Sequence, residues 1–173
     1  SAVAAWFRDA RTRVYTSTDL RGVQLGGAIK NVFAIASGIA TGLGLGDNAT
    51  AGLVTRGLAE MIRLGTALGG QPDTFIGLSG VGDLIATCYS HHSRNFRAGI
   101  CIGKGHTVAQ TLDEVGMVVE GIPNCQSIYE VARSSGVRTP LIDAVHSVLY
   151  EDKPAAEVLQ ELLTRAPRPE TES

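Results

Sequence analysis

The stretch from Gly22 to Ala40 constrains this chain more than any other. It is almost wholly apolar or small, interrupted only by Gln24, Lys30 and Asn31, and it is long enough for a helix of about five turns. A helix with no polar face either crosses a membrane or fills the centre of a protein. Gly26, Gly27 and Gly38, and a central lysine beside an asparagine, argue against a membrane span, since a mid-helix lysine costs about 2.5 to 3.5 kcal/mol to insert. The chain is therefore expected to fold around this segment.

The remaining sequence reads as helices. The linker Thr41 to Gly46 precedes a second helix, capped by Asp47 or Asn48 and running to about Leu68. Shorter helices are expected over Asp73 to Leu78, Leu84 to Tyr89, Arg94 to Ile102, Thr107 to Glu114, Ile122 to Ser135, Leu141 to Tyr150 and Pro154 to Thr164. Ala2 to Asp9 is helix-like, and the β-branched and aromatic run Arg13 to Ser17 suits a short strand. The expected organisation is a linker segment over 1–19, an all-α domain over 20–165 and a flexible tail over 166–173.

Several function classes are disfavoured. A net charge of -2 without a basic cluster gives no footprint for nucleic acid. Three cysteines at widely spaced positions, with no CxxC pair, suggest neither a disulfide framework nor a zinc site, and the cytoplasm suits them. No glycine-rich dinucleotide fingerprint is present: each Gly-x-Gly, starting at 42, 44, 80 and 103, lacks the final glycine. Charged residues make up only 18%, below the roughly 25% typical of soluble chains, so part of the surface is expected to be covered.

Lys30 needs a cause. In the dry middle of an apolar helix a lysine is a usable proton donor and acceptor. Alternatively it snorkels from the helix flank to water or to a structural carboxylate. Gly26, Gly27 and Ala34, one turn away on the same side, leave room for a ligand or for close helix packing. Asp83, after Gly80-Val81-Gly82, is placed to cap a helix or to face a lysine. Ser93-Arg94-Asn95 at a helix start suits either a phosphate grip or an ordinary capped helix. Val118-Val119-Glu120-Gly121 offers a carboxylate ahead of another helix. His91 and His92 are adjacent rather than four apart, so they form no helical metal pair and are expected in a solvated loop.

The order of these pieces carries a resemblance. Gly22 to Asn31, Thr55 to Met61, Gly80 to Leu84 through Ser93-Arg94-Asn95, and Val118 to Gly121 together resemble the bacterial NAD(P)-dependent glycerol-3-phosphate dehydrogenases. The resemblance implies the helical C-terminal domain of the 6-phosphogluconate dehydrogenase superfamily, without its N-terminal Rossmann domain. It implies Lys30 as catalytic acid/base, with Asp83, Ser93, Arg94 and Asn95 contacting the substrate, and Arg94, Val118 and Glu120 reaching NAD or NADP. A resident metal is not implied, and the partners implied are small molecules, with a homodimer admitted. A related β-hydroxyacid dehydrogenase or a non-catalytic helical dimerisation module is the alternative.

Overall fold

The computed structural model describes residues 2–164, so the expected flexible tail lies outside the described residues. Among the described residues ten α-helices follow one another: α1 (Ala2–Trp6), α2 (Leu20–Gly42), α3 (Asp47–Ala67), α4 (Pro72–Phe75), α5 (Asp83–Tyr89), α6 (Arg94–Gly103), α7 (Val108–Val115), α8 (Gly121–Ser134), α9 (Pro140–Tyr150) and α10 (Ala155–Leu163). A single π-helical turn, Leu78–Gly82, leads directly into α5. No strand occurs among the described residues. Arg13 to Ser17, expected as a strand, has no ladder partner here, and β-propensity does not hold an isolated strand.

α2 is the axle of the fold, packed by α3, α5, α6, α8 and α9. Every residue from Asn31 to Ala40 is buried, which covers the helix on all sides. Phe33, Ile35, Met61, Leu64, Phe75, Leu84 and Ile142 fill the core around it. By length and hydropathy α2 would also pass as a membrane span, but two thirds of its most apolar window is buried inside the protein.

The tightest contact is between α2 and α6. Gly38 and Gly42 on α2 face Gly99 and Gly103 on α6, and the backbones touch where side chains would normally stand between them. A Cβ on Gly99 would lie 2.2 Å from the Ile35 carbonyl oxygen, and one on Gly38 would lie 2.1 Å from that of Phe96. The glycines in α2 are thus packing residues, and they bring the start of α6 towards the middle of α2.

Buried carboxylates fix two helix starts. Asp19 caps α2 by accepting from the Gly22 N–H, and also accepts from the Gln71 N–H at 2.8 Å and the Thr74 hydroxyl at 2.7 Å. The Gln71, Thr74 and Gly22 donors hold its carboxyl below the usual range. Glu60 on α3 accepts from the N–H groups of Leu141 and Ile142, satisfying the first turn of α9 behind Pro140.

Two local expectations are corrected. The cap of α3 is Gly46, so Asp47 stands inside the first turn, where its charge meets the helix dipole. The helix expected over Asp73 to Leu78 stops at Phe75, because Gly77 is extended and the chain then widens into the π turn. A Cβ on Gly80 would sit 2.0 Å from the Phe75 carbonyl oxygen, so that turn closes only with glycine there.

Candidate active site

Lys30 sits where α2 changes character, between a half-exposed first part and the fully buried second. Its side chain is 19% exposed and its Nζ lies 2.5 Å from Asp83 Oδ2. Of the two settings the sequence allowed for this lysine, a dry interior or a reach from the helix flank to water and a carboxylate, the second holds, because the opening turns of α2 are only partly covered. Of the two readings of the small residues, close packing applies to Gly26, which meets the Ser79 backbone, while the space beside Gly27 is open.

Asp83 is delivered to Lys30 by the π turn, which ends on it as the first residue of α5. Thr87, one helical turn on, donates to the Asp83 carbonyl oxygen at 2.6 Å, and its hydroxyl lies 3.3 Å from Oδ1. Ser37 of α2 donates to the Cys88 carbonyl oxygen at 2.8 Å, tying the other end of α5 to the same helix. The carboxylate is therefore held against α2 from both ends of its short helix. Sequence reasoning missed Thr87, although its spacing of four from Asp83 was a legible signal.

The starts of α6 and α8 arrive one residue along α2. Asn95 is buried, and its Oδ1 accepts from the Gly121 N–H at 2.8 Å. A Cβ on Gly121 would stand 2.8 Å from both the Asn31 carbonyl oxygen and Asn95 Oδ1, so glycine lets the start of α8 reach the α2 backbone and the Asn95 side chain together. This leaves the Asn95 amide nitrogen as its donor group. Immediately before these residues, Arg94 and Glu120 lie 3.8 Å apart and are both substantially exposed. Such a spacing is loose, leaving both groups with hydrogen-bonding capacity to spare. Ser93 caps α6 by accepting from the Phe96 N–H at 3.2 Å. Val119 is buried while Val118 is 70% exposed beside Glu120. His91 and His92 are exposed, as expected.

One motif residue lies elsewhere. Glu60, from the Thr55 to Met61 segment, is turned into the core to hold α9 and takes no part in this cluster. The cysteines offer no nucleophile: burial pushes the thiols of Cys88 and Cys125 up to about 12, and burial raises that of Cys101 as well.

The assembled groups are a lysine–carboxylate pair beside open space, flanked by a guanidinium, a hydroxyl and an amide at helix starts. They can hold an anion and exchange a proton next to it. Comparison with known proteins finds relatives over most of the chain. Residues 19–160 match the family described as NAD-dependent glycerol-3-phosphate dehydrogenase C-terminus. Glycerol-3-phosphate dehydrogenase [NAD(P)+] of Geobacter sulfurreducens is 51% identical over 165 residues, covering 95% of this chain and 49% of that protein. Its counterpart in Moorella thermoacetica is 51% identical over 167 residues, covering 96% and 50%. The crystal structure of glycerol-3-phosphate dehydrogenase from Coxiella burnetii superposes with a TM-score of 0.91 at 41% identity, covering 95% of this chain and 50% of that one. The chain spans about half the length of the curated relatives it matches. Motifs, fold and relatives coincide, and the chain belongs to the family of NAD-dependent glycerol-3-phosphate dehydrogenase C-terminal domains.

Proposed function

We propose that this chain forms the substrate-binding half of a cytoplasmic oxidoreductase that interconverts sn-glycerol 3-phosphate and dihydroxyacetone phosphate, supplying glycerol phosphate for phospholipid synthesis. The observation that carries this reading is the Lys30–Asp83 pair at 2.5 Å, partly open to solvent, with the starts of α6 and α8 meeting α2 at the next residue, Asn31. Lys30 holds the proton that moves to or from the C2 oxygen, and Asp83 orients the lysine head by its ion pair. Arg94, Ser93 and the Asn95 amide bind the phosphate, a remote group whose anchoring keeps the reacting carbon in place.

NAD or NADP, when bound, supplies the hydride chemistry. The residues that would hold it on this chain fit that task. Arg94 and Glu120 are loosely paired and exposed, and Val118 offers an uncovered apolar surface next to them. An acidic residue, a basic residue and an apolar contact suit the mixed face of a nicotinamide with its ribose.

The test is Lys30→Ala in an enzyme containing this chain as its C-terminal half, assayed with dihydroxyacetone phosphate. Turnover is expected to fall about a hundred- to ten-thousand-fold with folding retained, the usual worth of a general acid/base. Unchanged turnover would support a non-catalytic helical module instead. Preference of the parent enzyme for unphosphorylated hydroxyacids would support the β-hydroxyacid dehydrogenase reading.

A further inference from the structure

The hairpin between α6 and α7, built on residues that the proposed reaction does not use, brings together a thiol, an imidazole and a carboxylate. Cys101 lies in the last turns of α6, His106 in the connecting loop and Glu114 near the end of α7. Gly105, in a left-handed conformation at φ +95°, reverses the chain, and the His106 N–H donates back to the Cys101 carbonyl oxygen at 3.1 Å. Thr107 and Gln110 then form a reciprocal capping box that starts α7. The result places Cys101 Sγ, a His106 ring nitrogen and a Glu114 carboxylate oxygen all within 4.8 Å of one another.

We infer that this hairpin is a zinc site, with Cys101, His106 and Glu114 as three ligands and water as the fourth. Ligand type and spacing both fit. Thiolate, imidazole and carboxylate are zinc's usual donors, and bonds of about 2.0 to 2.3 Å set tetrahedral ligand atoms about 3.3 to 3.6 Å apart. His106 Nδ1 and Glu114 Oε2 already stand 3.1 Å apart. Cys101 is 8% exposed, whereas the His106 and Glu114 side chains are 40% and 58% exposed, so a hydrated ion has a route in and the two outer ligands have freedom to close.

Charge fits as well. On binding, the Cys101 thiol releases its proton to solvent, so thiolate and carboxylate together neutralise the dication. The ion would clamp the C-terminal end of α6 to α7.

The experiment titrates the metal-free full chain with Co2+ and then displaces it with Zn2+. One equivalent of Co2+ is expected to give sulfur-to-cobalt charge transfer and the intense d–d bands of a tetrahedral site, and Zn2+ is expected to abolish both. Cys101→Ser should lose the charge-transfer band. His106→Ala and Glu114→Gln, at accessible positions that leave the core untouched, should each weaken Co2+ binding about tenfold or more. Zn2+ should raise the melting temperature of the parent chain and not that of His106→Ala. Absence of the charge-transfer band, weak octahedral spectra, or binding unchanged in His106→Ala would each overturn the inference.

Discussion

Single residues in this protein carry more than their share of the tertiary structure when they are charged and buried. Glu60 is 3% exposed and is used entirely by two backbone N–H groups, Leu141 at 2.7 Å and Ile142 at 3.2 Å. Burial pushes its carboxyl up to about 7; the two N–H donors and Arg63 pull the other way, and Asp143 adds to the rise. Between about 4.5 and 7 the folded chain therefore holds a proton that the unfolded chain has lost. Stability falls as pH rises through that window, by up to roughly 3 kcal/mol for this one group. Glu60→Gln removes the titration and also turns one acceptor into a donor facing an N–H, a cost of about 1 to 3 kcal/mol. Urea unfolding at pH 5 and at pH 7.5 should show a steeper decline in the parent chain than in the variant; parallel declines would refute the assignment. Lys30 and Asp83 differ from Glu60 in being partly open to water, which is what a group that meets a substrate requires.

At the scale of elements, the decisive event is the approach of α6 to α2. Most helix pairs are separated by interlocking side chains, but here glycines on both partners let backbone touch backbone. Alanine at such a site would gain about 1 kcal/mol of helix propensity. Against that, a methyl carbon placed 2.2 Å from the Ile35 carbonyl oxygen forces the helices apart, and overpacking of this kind costs about 1 to 3 kcal/mol or more. Steric cost wins. Gly99→Ala is expected to lower thermal stability and, by moving the start of α6, to loosen the Asn95–Gly121 contact. A melting curve unchanged from that of the parent would contradict this reading.

Over the whole molecule, three separated stretches of sequence, around Asp83, Asn95 and Gly121, converge on the middle of α2. Near these residues in sequence large apolar side chains stay uncovered: Ile76, Leu78 and Ile85 flank Asp83, and Met117 and Val118 precede Glu120. Exposed apolar groups rimmed by charge suit a surface that meets a partner or ligand. If the proposed function is right, the 173-residue chain assayed alone with NADH and dihydroxyacetone phosphate should turn over poorly or not at all, because it spans only about half the length of the relatives it matches. Robust NADH oxidation by the chain alone would count against the division of labour proposed here.

Much of the fold was legible in order and type. Periodicity, capping residues and prolines marked the helices from α2 to α10, because those signals act within one or two turns of the chain. The absence of any polar face on α2 put it at the centre before any contact was known. The motif order likewise singled out Lys30, Asp83, Arg94, Asn95 and Glu120. Long-range contact decided the rest. That Gly38 and Gly99 touch, that Glu60 turns inward to α9, that a π turn replaces a helix end before Asp83, and that Asn95 spends its carbonyl on Gly121 all depend on partners tens of residues away. Local propensity carries no information about such partners. The amino-acid sequence by itself determined which segments are helical and which helix must be buried, whereas only the tertiary structure decided that Lys30 stands at the edge of that burial, within reach of both a carboxylate and water.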